Sequence, residues 1–137
     1  MAEDSEDNRL LVQAYLKASP YHLTFEENGK AAVDRFANSD FDLILMDMHL
    51  PVMDGLAATR AIRSLERALS APSIPIIALS ADFSLEDIER SHVAGCDAHL
   101  AKPILKVELL GAIEKYRRQL HPKNPNYGHI ARNEQQP

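Results

Sequence analysis

Three side chains whose types could act together stand at the ends of three apolar runs. Asp47 follows Phe41-Asp42-Leu43-Ile44-Leu45-Met46, Ser80 follows Ile74-Pro75-Ile76-Ile77-Ala78-Leu79, and Lys102 follows Ala98-His99-Leu100-Ala101. In an open parallel sheet, functional groups collect just beyond the carboxyl ends of the strands. A carboxylate, a hydroxyl and an ammonium would then converge on one edge, a set suited to polar, charge-handling chemistry. Read singly, each has a plainer explanation. An Asp after a strand serves as a turn or cap residue, a Ser as a cap, a Lys as a solvated charge. The joint placement, each after an apolar strand, is what points to a site.

The elements that must position these residues are legible in outline. The runs ending at Asp47 and Ser80 are continuous rather than alternating in apolarity, as in strands buried on both faces of a sheet covered by helices. Pro75 stands at the start of its strand, where a missing donor is tolerable. Weaker strands are predicted at 22–26 and 98–101. Between them, helical spacing groups Leu11, Ala14, Tyr15 and Ala18, then Ala32, Val33 and Phe36. Asp54 is placed to cap a helix carrying Ala58, Ala61, Ile62 and Leu65. Ser84 is placed to cap another, with Asp87 three residues later. Gly95 stands where a helix C-terminal glycine belongs. Val107, Leu110, Ile113 and Leu120 mark the last helix. The alternation predicts right-handed crossovers and a doubly wound parallel α/β sheet.

Composition sets the outer limits. The chain has 137 residues, 45% hydrophobic and 26% charged, which suits one globular domain. No apolar run approaches the ~18–20 residues of a membrane span. The acidic start has no apolar stretch behind it, so no secretory signal is expected. A net charge of -5 argues against a nucleic-acid surface. The single cysteine, Cys96, fits a reducing, cytoplasmic setting. Residues 121–137 contain three prolines and few apolar side chains, and are expected to be a disordered tail after a domain at 1–120.

Asp47-Met48-His49-Leu50-Pro51-Val52-Met53-Asp54-Gly55 resembles the acceptor segment of response-regulator receiver domains. Ser80-Ala81, the run Gly95 to Pro103 and the acidic start Glu3 to Asn8 match the same family in the same order. The resemblance covers roughly residues 2–120 and leans towards receivers of hybrid histidine kinases. It implies a flavodoxin-like fold and a signalling module rather than an enzyme. Asp47 would take a phosphoryl group from a phosphohistidine of a histidine kinase or histidine phosphotransfer protein. A carboxylate suits this, because the acyl phosphate it forms is reactive. Mg²⁺, a hard cation preferring oxygen ligands, would be held by Glu3, Asp4, Asp47 and the backbone carbonyl of His49. Lys102 would pair with the phosphoryl oxygens or Asp47, and Ser80 would bind the phosphoryl group and draw its loop inward. His99 stands where the family usually carries Tyr or Phe as the side chain that follows Ser80. His49 and Asp82 flank the acceptor at positions that modulate dephosphorylation in the family.

One departure is large. In the family a buried strand precedes the acidic pair, whereas here only Met1 and Ala2 precede Glu3. About five aliphatic side chains at ~1.5–3 kcal/mol each would contribute on the order of 10 kcal/mol, comparable to a domain's net stability. The sequence therefore predicts a four-stranded sheet with an open centre, a homodimer or higher oligomer that closes it, and Glu3 and Asp4 on a frayed terminus with weakened metal binding. The alternative function under this reading is a truncated, phosphorylation-independent dimerisation or interaction module.

Overall fold

The computed structural model describes residues 1–82 and 84–120. The expected tail lies outside the described residues. The chain runs α1 (Glu6–Leu16), α2 (Gly29–Asn38), β1 (Ile44–Asp47), α3 (Gly55–Ala68), β2 (Ile76–Ser80), α4 (Leu85–Ala94), β3 (Ala98–Ala101) and α5 (Lys106–Leu120). The strands form one parallel sheet in the order β1-β2-β3.

The local chemistry that starts and stops these elements is the chemistry of the predicted caps. Asp54 accepts from the N–H of Ala57 at 2.8 Å and Ser84 from that of Asp87 at 3.2 Å. Ser5 and Asn28 cap α1 and α2 in the same way. Gly95 ends α4 at φ 120°, a left-handed conformation that costs glycine least. Every residue of β1 and β2 is buried, which explains their unbroken apolarity. On one sheet face, Leu45, Ile77 and Leu79 pack with Val12 and Leu16 of α1 and Leu109 and Ile113 of α5. On the other, Met46, Ile76 and Ala78 pack with Ala58 and Ile62 of α3, backed by Val33 and Phe36 of α2. This is the doubly wound arrangement of a flavodoxin-like fold.

The strand count differs from the four predicted. Residues 22–26 do not form a ladder; Glu26 alone pairs, in a parallel bridge to Ala2. A strand needs a partner along its length, and Met1–Glu3 reach only its end. β1 also begins three residues later than its apolar run. The Ile44 N–H bonds to the Pro75 carbonyl at 2.9 Å, and Pro75, with no N–H to return, closes the ladder there.

The expectation of a frayed acidic terminus is corrected as well. Ala2 donates to the Leu45 carbonyl at 2.9 Å and accepts from the Asp47 N–H at 3.0 Å. Glu3 donates to the Glu26 carbonyl at 2.9 Å, and Glu26 returns a bond to Met1 at 3.0 Å. These few residues therefore lie between β1 and Glu26 with backbone partners on both sides. The carboxyl end of the central position is occupied by Met1–Glu3. A cleft beside Met1, lined by Thr24, Phe36, Phe41, Leu43 and Ile44, marks the part left open.

At the opposite end of the sheet, Arg63 ties three segments together: its own helix α3, the entry to β2 and the α4–β3 connection. It donates to the Gly95 carbonyl through Nε and Nη2 at 3.0 and 2.8 Å, and to the Ile74 carbonyl at 2.7 Å. Glu66 and Asp97 accept from it at 2.8 and 2.9 Å. Glu66 and Asp97 in turn accept from the N–H groups of Ile74 and Ile76. The guanidinium fork thus satisfies backbone carbonyls at the entry to β2 and β3. Removing it leaves Glu66, which is 2% exposed, with the Ile74 N–H but without its cation. Arg63→Met is expected to lower the unfolding free energy by about 3–5 kcal/mol, read from urea denaturation. Arg67→Met, at an exposed position on the same helix, is expected to stay within about 0.5 kcal/mol of the parent.

Candidate functional site

The site forms where the carboxyl ends of the strands meet the start of α1. Asp47 is the last residue of β1, Ser80 the last of β2, and Lys102 follows β3 directly. Register staggers them by one residue from strand to strand, with Asp47 opposite Leu79 and Ser80 opposite Ala101. Gly55 starts α3 directly beneath Asp47. Its N–H bonds to the Met48 carbonyl at 3.2 Å, and a Cβ there would collide with the Asp47 backbone.

Lys102 joins the carboxylates. Its Nζ lies 2.9 Å from Asp47 Oδ2, 2.9 Å from Glu3 Oε1 and 3.1 Å from Glu3 Oε2. The His49 N–H donates to Asp47 Oδ1 at 3.0 Å, so both Asp47 oxygens have a donor. Asp47 is 2% exposed and Glu3 fully buried, while Asp4 is exposed. Oxygens of Glu3, Asp4 and Asp47 all lie within 4.8 Å of one another. Such an all-oxygen cluster, one member open to solvent, matches the donor set a hard divalent cation takes.

The remaining predicted residues surround this centre. Ser80 is buried, and its Oγ accepts from the Asp82 N–H at 3.0 Å. His49 and Asp82, two residues beyond Asp47 and Ser80, are exposed. The Ser84 N–H, then Asp87 and nearby His49, hold the Asp82 carboxyl below its ordinary range. His99 is half-buried in β3, opposite Ala78. Lys102 and Pro103 are joined by a cis peptide bond.

Two residues that sequence reasoning passed over also belong here. The Asn8 side-chain amide donates to Glu3 Oε1, and Arg9 Nη1 donates to the Glu3 backbone carbonyl at 2.9 Å. The acidic run hides both, and the placing of α1 is what turns them towards Glu3.

Two carboxylates and one ammonium share a dry space, and their proton affinities separate. Burial first, then the hydrogen bond with Asp47, raises Glu3 to about 7, against the opposing pull of Lys102 and Asn8. Burial also pushes Asp47 up. Hydrogen bonds from Glu3, the His49 N–H and Lys102 outweigh it, and Asp47 lies below its ordinary value. Lys102 loses charge stability to burial and regains more from Asp47 and Glu3, so it stays an ammonium. The arrangement keeps one ionised carboxylate, Asp47, in line with a fixed positive charge.

Comparison with known proteins agrees with this architecture. The family model of the response regulator receiver domain matches residues 1–114. The chain belongs to the response regulator receiver domain family. It is 37% identical over 114 residues to the sensor protein GacS of Pseudomonas syringae pv. syringae, covering 83% of this chain and 13% of that protein. It is 38% identical over 121 residues to the two-component response regulator ORR41 of Oryza sativa subsp. japonica, covering 85% and 91%. Against hybrid signal transduction histidine kinase M of Dictyostelium discoideum, the chain spans 5% of the relative's length. Among solved structures, the receiver domain of sensor histidine kinase PA1611 from Pseudomonas aeruginosa PAO1, with magnesium coordinated in its active site cleft, superposes with TM-score 0.75 at 36% identity. It covers 84% of this chain and 92% of that one. The Saccharomyces cerevisiae complex of the phosphotransfer protein Ypd1 with the Ssk1 receiver domain matches with TM-score 0.81 at 28% identity, covering 86% and 87%.

The raised Glu3 value has a direct consequence for stability. Unfolded, this carboxyl titrates near 4.5; folded, near 7. The folded state binds the proton more tightly, so the contribution is present at low pH and is lost as pH rises from about 4.5 through about 7. In chelator-treated protein, the stability of the parent relative to Glu3→Gln is expected to fall across that window and level off above it. Urea midpoints measured at several pH values check this, and a flat difference would contradict it.

Proposed function

We propose that Asp47 is the phosphoacceptor, receiving its phosphoryl group from a phosphohistidine of a histidine kinase or histidine phosphotransfer protein. The observation that carries this reading is Asp47 at the end of β1, with Oδ2 2.9 Å from Lys102 Nζ and its carboxylate grouped with the oxygens of Glu3 and Asp4. A carboxylate oxygen of Asp47 forms the new bond to phosphorus as the phosphorus–nitrogen bond to the imidazole breaks, and the released imidazole takes a proton from solvent. The product is an acyl phosphate on Asp47.

Phosphoryl transfer depends on charge neutralisation and positioning. Lys102 supplies a fixed ammonium and follows the phosphoryl oxygens. Ser80 exchanges its bond from the Asp82 N–H for one donated to the phosphoryl group, which draws the loop after β2 inward. His99, in the adjacent strand, is the side chain placed to follow that movement. His49 and Asp82 flank the route by which water reaches the acyl phosphate. Glu3, Asp4 and Asp47, whose oxygens cluster, together with the His49 carbonyl would hold Mg²⁺, which would neutralise phosphoryl charge. The alternative, a phosphorylation-independent module, drew on the missing first strand; the Glu3 backbone held by Glu26 and Arg9 favours the acceptor reading.

The output passes through contact with another protein. Helix α4, strand β3 and helix α5 offer the face, with Leu85 and Val107 strongly exposed on it. No helix among the described residues is long and apolar enough to cross a membrane. A cytoplasmic setting belongs to the same reading.

Incubation with a phosphohistidine donor or acetyl phosphate and Mg²⁺, followed by intact mass, is expected to give one phosphoryl adduct. Asp47→Asn abolishes it and a chelator suppresses it. Lys102→Met is expected to slow adduct formation by about 10²-fold, the usual effect of losing one charge-stabilising donor. An unmodified parent under all donors would overturn the reading.

A further inference from the structure

Glu3 poses a problem that Lys102 does not solve alone. Its carboxylate is fully buried, and the ammonium it shares also serves Asp47 at 2.9 Å. A buried carboxylate left without donors is costly. If Lys102 turns towards an arriving phosphoryl group, Glu3 loses the donor that reaches both of its oxygens. A further donor is therefore needed, and it must not add positive charge beside a cation site.

Asn8 meets both conditions. Its side-chain Nδ2 donates to Glu3 Oε1, and an amide carries no net charge. Its own position is fixed, because its backbone N–H is capped by Ser5 Oγ at 3.3 Å in the first turn of α1. Its neighbour Arg9 holds the Glu3 backbone carbonyl at 2.9 Å and pairs with Glu27 at 3.5 Å. The first turn of α1 thus grips Glu3 at both ends, by its carbonyl and by its carboxylate. A helix is a more rigid base for such a contact than a loop.

We propose that Asn8 is a positioning residue for the acidic site, holding the Glu3 carboxylate in the orientation that a divalent cation uses. This rests on the cation-assisted acceptor reading above. Asn8 touches neither the cation nor the phosphoryl group. It acts through Glu3, as a partner behind a metal-ligating side chain acts through that ligand. It also stays in place while Lys102 changes partner, so the Glu3 carboxylate keeps one donor throughout the cycle.

The test is Mg²⁺ titration by calorimetry on the full chain. Asn8→Leu keeps the shape and removes the donor, and is expected to weaken Mg²⁺ affinity about 10-fold, within the range for such partners. Asn8→Gln, which returns the amide on a longer stem, recovers part of the loss. A purely structural role would shift the urea midpoint and leave Mg²⁺ affinity of the folded protein unchanged, which overturns the proposal. Should Asn8→Leu fail to fold, Asn8→Ser carries the test: its hydroxyl is too short to reach Glu3, and parent-like affinity there overturns the proposal. A parent chain that binds no Mg²⁺ and forms no adduct brings down the acceptor reading and this one together. A parent that does both beside an equally tight Asn8→Leu brings down this one alone.

Discussion

The Lys102 ammonium lies within 3.1 Å of three carboxylate oxygens, two on Glu3 and one on Asp47. Those carboxylates are nearly or wholly removed from water, and two like charges in such a space repel strongly. One ammonium cannot fully neutralise two anions. The result is an unequal pair, with Asp47 ionised and Glu3 holding its proton to about 7. Most other features of the molecule serve to hold these three groups at this separation.

The parallel sheet does this by geometry. β1 ends opposite Leu79, one residue before the end of β2, β3 delivers Lys102 one residue past its end, and Met1–Glu3 slot beside β1 so that Glu3 joins the group. Two buried faces give the strands no freedom to slip, since a one-residue shift would turn every side chain to the opposite helix layer. The Arg63 clamp fixes the far ends of β2 and β3. The charged cluster and the guanidinium network therefore stand at opposite ends of the same strands, each satisfying polar groups that the apolar centre cannot.

A receiver built this way has little covalent work left to do. Asp47, the proposed acceptor, is held below its ordinary carboxyl range beside the Lys102 ammonium, and an all-oxygen cluster stands open on the Asp4 side. In the proposed cycle, what changes is the partner of Lys102 and of Ser80. That makes the uncharged donors around the site, the His49 N–H and the Asn8 amide, the constant part of it.

Much of this was legible in the sequence. Asp47, Ser80 and Lys102 could be placed from the apolar runs before them, and the caps at Asp54 and Ser84 from residue type and spacing, because those signals act within a few residues. The motif run from Asp47 to Gly55 and the residues up to Pro103 carried the family. The strand at 22–26 and the frayed acidic end did not survive, because pairing depends on what stands alongside. Residues Met1–Glu3 have no strand signal of their own, yet backbone partners from two distant segments hold them. Lys102 meets Glu3 across 99 positions of chain, and Arg63 meets Gly95 across 32. Periodicity and capping are local properties, so the sequence by itself determined the elements and their ends. Burial, proton affinity and the choice of hydrogen-bond partner depend on atoms brought together from far along the chain, and only the tertiary structure decided them.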